Sequence, residues 1–219
     1  MLTSFLNNGS AVYEMGIANT AIERIVTDQL CAQLGFDTHA RGFLTSGGTL
    51  ANLTALLAAR SVKDGTAVWK NGYEESLGIL VCEEAHYCVD RAARIMGLGD
   101  KGILKVPATI NYAMDTTALE ATLEKAKQAG IQVFAIVGSA PSTATGIIDP
   151  LDKIASFAQK HGLWFHVDAA HGGAAIYAQQ FKQDLAGIEK ADSVAIDGHK
   201  MMMMPALTTA LLFKDGSHS

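Results

Sequence analysis

The chain has 219 residues, 49% hydrophobic and 18% charged, and its 22 acidic and 17 basic side chains give a formal charge of −5. That is enough for one substantial α/β core or two small ones, and no basic run or Arg/Lys stripe points to nucleic acid. No apolar run approaches the roughly 20 residues of a membrane span, and "MLTSFLNNGS" lacks the charged start and apolar core of a signal peptide.

The expectation is therefore a soluble protein with neither a membrane nor a nucleic-acid partner. Three cysteines, Cys31, Cys82 and Cys88, form an odd set in apolar surroundings. They predict reduced thiols and a cytoplasmic location.

Ala21, Ile22, Ile25, Val26, Leu30 and Leu34 recur at helical spacing, so a helix is expected over 17–34, stopped by Gly35. "RGFLTSGGT" then leads into "LANLTALLAAR", a helix whose first turn follows Gly47 and Gly48. Six short apolar runs follow: "GILVCEE", "GILKVPA", "VFAIVGSA", "LWFHVDAA", "SVAIDGH" and "TTALLFK". Helical patterns separate several of them. One starts at an N-cap Asp115 and stops at Gly130; another starts with Asp149-Pro150 and stops at Gly162.

Continuous apolar strands alternating with helices indicate an α/β fold, a mostly parallel sheet with helices on both faces. Ligands bind such sheets at the C-terminal strand ends, and the polar residues gather there. Glu83, Glu84 and His86 follow one strand and Ser139, Ser142 and Thr143 another. Asp168 and His171 follow a third, and Asp197, His199 and Lys200 a fourth. The chain stops at "FKDGSHS", straight after a strand, which predicts a piece of something longer.

Four motifs carry chemistry. "TSGGT" (residues 45–49) opens a helix, where two glycines and free N–H groups suit a phosphate; a plain glycine turn capped by Thr49 also accounts for it. In "HVDAAHGG" (166–173), His166 and Asp168 share a strand face, and with His171 they could hold a metal. No further ligand is evident, and no metal is expected. A carboxylate at an apolar strand end suits a cationic nitrogen better. "CEEAHYC" (82–88) matches no zinc spacing, and His86 taken alone is an ordinary loop histidine. Lys200 precedes Met201 to Met204, which are expected to fill the core beside it and strip water from its amine. A phosphate cradle, a carboxylate, a flat imidazole and a lysine at one rim are the parts that hold pyridoxal phosphate.

With "GFLTSGGTLANLTALLAAR", "EEAHYCVDRAARIMG", "STATGIIDP", "HVDAAHGG" and "DGHK" in this order, the sequence resembles the group II pyridoxal-phosphate-dependent amino-acid decarboxylases. The resemblance implies a type I aminotransferase-like large domain with a mostly parallel seven-stranded sheet, filling residues 1–219. The family's N-terminal segment and C-terminal small domain would lie outside them. It implies that Lys200 forms the Schiff base, that Asp168 pairs with the pyridine nitrogen, and that Ala170 and His86 cover the two ring faces. Gly48 and Thr49 would bind the phosphate, helped by His199 or Asp197, with Thr143 near the phenolic oxygen. Pro141 stands where relatives often carry glycine. The implied reaction converts an L-amino acid to an amine and carbon dioxide, in a homodimer. Two alternatives stay open: the carbon–carbon lyase chemistry of the same family, and a truncated domain that binds cofactor or a partner without turnover.

Overall fold

A computed structural model of the chain describes residues 12–64 and 67–219, so the N-terminal "MLTSFLNNGS" lies outside the described residues. Seven strands form one sheet: β1 (Arg41–Thr45), β2 (Ser76–Cys82), β3 (Ile103–Val106), β4 (Ile131–Ser139), β5 (Trp164–Asp168), β6 (Ser193–Asp197) and β7 (Thr209–Phe213). Their order is β1-β7-β6-β5-β4-β2-β3. Pairing is parallel from β6 through β3, while β7 runs antiparallel to both β6 and β1.

The six expected strands are present, and β1 is a seventh that strand patterning did not single out. Gly42 weakens the strand signal there, yet the position needs glycine. An added Cβ would come within 2.5 Å of the Leu212 side chain and 2.8 Å of the Leu211 carbonyl on the neighbouring strand.

The helices are α1 (Ile17–Leu34), α2 (Gly48–Asp64), α3 (Ala67–Asn71), α4 (Tyr87–Ile95), α5 (Leu119–Gln128) and α6 (Leu151–His161). On one face of the sheet, α2 and α4 pack Ala51, Ala55, Ala59, Val89 and Ala92 against Val81, Trp164 and Phe213. Ala51, Ala55 and Ala59 repeat every fourth residue, and this small-residue stripe lets α2 lie close to the strands. On the other face Leu30, Leu119, Ile154 and Phe157 cover Ile136, Phe165, Val167 and Leu212. Strands β5, β6 and β7 are buried along their whole length, which explains their unbroken apolar sequences. No helix of the described residues is long and apolar enough to cross a membrane.

Three local expectations need correcting. Helix α1 has the expected bounds but buries Thr27, Leu30, Cys31 and Leu34, leaving Ile22, Ile25 and Val26 exposed. Its apolar residues thus form two faces, and the sheet takes only the C-terminal one. Asp115 does cap a helical start, accepting from the Thr117 N–H, but the first turn is 3₁₀ (Thr116–Ala118) before α5 begins. The helix expected to start with Asp149-Pro150 begins just after them, at Leu151, and the Asp149 carboxylate accepts from the backbone N–H groups of Met114 (2.7 Å) and Ser139 (2.8 Å).

Candidate active site

Asp168 ends β5, the central strand. The register places it beside Ser139 of β4 and Ala195 of β6, and alternation along the strand puts Trp164, His166 and Asp168 on the α2 side. Its carboxylate is buried. Oδ1 accepts from the Ala170 N–H at 3.1 Å, and the neighbour of Oδ2 is the Cys88 thiol at 3.8 Å. No ion pair to Asp168 occurs among the described residues. Burial therefore pushes its pKa up, against the opposing pull of the Ala170 N–H and the charges of His86 and Lys200.

Above Asp168 opens a cavity of about 330 Å³, large enough for a small cofactor. Four strand ends and the start of α2 line it. His86, Asp168, Asp197, His199 and Lys200 all reach it, with Ala170, Thr143, Gly48 and Thr49. Every residue expected to bind cofactor thus borders a single space. Glu83, Glu84 and His171 do not line it. The Glu83 carboxylate accepts from the Ala108 N–H instead, and the Glu84 carbonyl takes the Ser142 hydroxyl.

Lys200 differs from its expected setting. Met201, Met203 and Met204 are exposed, Met203 to 89%, and only Met202 packs partly against the core. The methionines therefore do not strip water from the amine. Its Nζ lies 2.9 Å from Asp197 Oδ2, with the lysine side chain 31% exposed and that of Asp197 2%. Asp197 Oδ1 accepts from the Thr209 hydroxyl at 2.6 Å, so both carboxylate oxygens are engaged. His199 sits on the same carboxylate, its Nε2 3.6 Å from Asp197 Oδ2, and its Nδ1 meets the Thr208 backbone.

His86 is the N-cap of α4, its Nδ1 accepting from the Cys88 N–H at 3.3 Å, so the ring is fixed at the cavity mouth rather than loose in a loop. The opposite wall is the segment from Ser139 to Asp149. It is tied down by the buried Asp149 and by the Ser142 hydroxyl, which donates to the Glu84 carbonyl. Pro141 rests on Gly172: a Cβ added to Gly172 would collide with the proline ring, so this pair shapes the wall together.

Gly47 adopts φ +120°, a conformation that favours glycine, and turns the chain into α2. The N–H groups of Gly48 and Thr49 lead the helix, where no intrahelical acceptor reaches them, and they lie at the positive dipole end. A Cβ on Gly48 would sit 3.0 Å from Asp197 Oδ1 and 3.2 Å from the Ala170 Cβ. Gly48→Ala should therefore push the cradle away from Asp197 and Ala170, raising the Kd for pyridoxal phosphate about tenfold. Fluorescence titration of the cofactor would measure this, and unchanged affinity would mean that the cradle lies elsewhere.

The cavity fits the cofactor that the sequence suggests. A buried carboxylate without a cation is costly, and a protonated pyridine nitrogen facing Oδ2 would relieve it. The helix start offers N–H groups to a phosphate, Ala170 supplies a small surface for a flat ring, and Lys200 supplies a primary amine.

His166 belongs to the site's support and not to a metal set. Its Nδ1 lies 2.8 Å from Ser193 Oγ and its Nε2 2.6 Å from Asn52 Oδ1, so both ring nitrogens are occupied by protein. Burial drives its pKa down to about 4 from 6.5. A base with a depressed folded pKa loses stability as pH falls below the unfolded value. The chain should therefore lose roughly 3 kcal/mol through this residue between pH 6.5 and 4. Denaturant unfolding across that window should be steeper in pH for the native sequence than for His166→Gln. Equal slopes would contradict a neutral buried ring.

Asn52 and Cys88 also line the cavity and were missed as site residues. Asn52 follows Gly48 by four positions, one turn along the same helix face, and that spacing is the signal that could have found it. Cys88 stands in "CEEAHYC", whose spacing was weighed only as a metal pattern.

Residues 1–218 match the family model described as the pyridoxal-dependent decarboxylase conserved domain. The chain is 35% identical over 216 residues to a glutamate decarboxylase-like protein of Gibberella zeae, covering 98% of the chain and 42% of that protein. It is 39% identical over 190 residues to an aspartate 1-decarboxylase of Aliivibrio fischeri, covering 81% of the chain and 35% of that protein. Among solved structures, the glutamate decarboxylase domain of a diaminobutyrate-pyruvate transaminase and L-2,4-diaminobutyrate decarboxylase from Vibrio parahaemolyticus superposes with a TM-score of 0.93. The identity is 35%, over 99% of this chain and 49% of that one. The chain thus spans less than half the length of these relatives.

Proposed function

Because the chain belongs to the pyridoxal-dependent decarboxylase family, we propose that it is the cofactor-binding large domain of an enzyme that decarboxylates an L-amino acid to an amine and carbon dioxide. The observation that carries this reading is the buried, cation-free Asp168 carboxylate at the floor of a cavity that Lys200 also lines. Bound pyridoxal phosphate would supply an electron sink for the pair released when the Cα–carboxylate bond breaks.

The chain's own residues have distinct parts in this. Lys200 offers the primary amine that tethers the cofactor, and Asp197, 2.9 Å away, orients it. Asp168 holds the proton on the pyridine nitrogen, where its charge is needed most. Ala170 and His86, which both line the cavity, would flank the cofactor's ring. The N–H groups of Gly48 and Thr49 take the phosphate; His199 suits it better than Asp197, whose oxygens are already engaged and whose charge would repel it. Thr143, exposed and lining the cavity, would serve the phenolic oxygen.

The working form is proposed to be a homodimer. Support comes from the exposed apolar run at the start of α1, where Tyr13, Met15, Ile17, Ile22 and Ile25 are all more than half exposed. Sedimentation at several concentrations should give a dimer that weakens on Ile22→Glu plus Ile25→Glu. A monomer at every concentration would refute this. The three buried cysteines, none in a disulfide, suit a reducing compartment such as the cytoplasm.

The test is carbon dioxide release by the intact protein from a panel containing glutamate, aspartate, cysteine sulfinate and 2,4-diaminobutyrate. Cofactor-dependent release from one of these or another L-amino acid is expected. Cofactor binding without release from any amino acid would favour the lyase or non-catalytic alternatives.

A further inference from the structure

A line of buried hydrogen bonds runs beneath the cavity. It starts at the Trp164 indole, whose Nε1–H donates to Ser193 Oγ at 2.9 Å. Ser193 Oγ lies 2.8 Å from His166 Nδ1, and His166 Nε2 lies 2.6 Å from Asn52 Oδ1. Asn52 Nδ2 donates to Cys88 Sγ at 3.3 Å, and Cys88 Sγ reaches Asp168 Oδ2 at 3.8 Å, within the longer range of sulfur. All six side chains are buried, and they come from β5, β6, α2 and α4.

The two ends limit the directions the links can take. An indole N–H can only donate, and an ionised carboxylate can only accept. For Asp168 to be stabilised, the thiol must turn its proton toward Oδ2. Cys88 Sγ must then accept from the Asn52 amide, which leaves Asn52 Oδ1 to accept from His166. His166 must carry its proton on Nε2, and its bare Nδ1 must accept from the Ser193 hydroxyl. That hydroxyl can donate to Nδ1 while its oxygen accepts from Trp164. The competing tautomer would use the Ser193 carbonyl, 3.2 Å from Nδ1. It would reverse the amide and turn the thiol proton away from Asp168.

We propose that Asn52 and Cys88 are positioning residues for the reaction, delivering to Asp168 Oδ2 a hydrogen bond whose direction is set by the Nε2–H tautomer of His166. The inference rests on the functional reading above, in which Asp168 faces the pyridine nitrogen. Cys88 suits this part because burial holds its thiol protonated, with a pKa pushed up to about 12. One oxygen of Asp168 is then fixed by the Ala170 N–H and the other is aimed by the thiol, so the carboxylate cannot swing away from the cavity.

The test uses the intact protein with histidine labelled in ¹⁵N, at alkaline pH, with and without pyridoxal phosphate. The His166 resonances are assigned by their loss in His166→Gln. The expected result is a neutral ring protonated on Nε2; a ring protonated on Nδ1 overturns the proposal. A second arm compares Cys88→Ala with Cys88→Ser. Loss of the donor should lower kcat about tenfold with KM little changed, in line with one hydrogen bond to a charged group. Serine, which keeps a donor, should restore most of it. Equal rates in the alanine and native proteins would overturn the proposal, as would a serine variant no better than alanine. Failure to bind the cofactor would defeat the functional reading instead, while the tautomer still decides the hydrogen-bond direction.

Discussion

Asp168→Asn should make the cofactor-free protein more stable while nearly abolishing turnover. The native carboxylate is buried without a cation, and burial raises its pKa. Raised pKa means that its folding contribution is most favourable at low pH, where the group is protonated, and is lost as pH rises through the folded value. At neutral pH it therefore opposes folding in the absence of cofactor. An amide keeps the bond from the Ala170 N–H and can donate to Cys88 Sγ, without the desolvated charge. A gain on the order of 1–3 kcal/mol is expected at neutral pH, shrinking as the pH is lowered toward ordinary carboxylate values. The rate should fall on the order of 10²- to 10³-fold, because an amide cannot hold the proton on the pyridine nitrogen. Denaturant unfolding and carbon dioxide release on the same preparations measure both. A variant that is less stable and fully active would count against this placement of the carboxylate.

Lys200→Ala is expected to leave the phosphate cradle intact and remove the covalent tether. The Gly48 and Thr49 N–H groups and the Asp168 carboxylate do not depend on the lysine, so pyridoxal phosphate should still bind, more weakly and reversibly by dialysis. Turnover should drop by about 10⁴-fold or more, as when other covalent catalytic groups are removed. The substitution also removes the amine 2.9 Å from Asp197 Oδ2, leaving that carboxylate with His199 Nε2 at 3.6 Å and the Thr209 hydroxyl. Lys200→Arg is the useful companion, since it keeps a cation near Asp197 but supplies no nucleophilic amine. Loss of activity in both variants, with cofactor affinity better preserved in the arginine variant, would separate the tether from the charge.

Much of this arrangement was legible in the sequence because strand ends and glycine turns leave local marks. The apolar runs ending in Asp168 and Asp197 are strands buried on both faces, and their polar last residues had to emerge at the C-terminal edge. "TSGGT" was legible for the same reason: a helix that starts at a pair of glycines leaves its first N–H groups without intrahelical acceptors. What sequence patterning missed depends on contacts between distant segments. Strand β1 carries Gly42 because Leu211 and Leu212 of β7 press against it, 169 and 170 positions away, and nothing local marks that approach.

The methionines after Lys200 and the isoleucines of α1 expose a different limit. Apolar character says that a residue prefers to leave water, but not which surface receives it. Met203 and Ile22 both face outward here. Asn52 and Cys88 sit inside quoted stretches, but their part in the site depends on a chain of bonds that joins four elements.

The central claim is that Lys200 is the amine that holds pyridoxal phosphate in this cavity. It is tested most directly by adding the cofactor to the intact protein, reducing with borohydride, digesting, and locating the added mass by peptide mass spectrometry. The account predicts a single stoichiometric modification on Lys200 in the segment "DGHKMMMM". Stoichiometric labelling of another lysine, or no stable label at saturating cofactor, would contradict it.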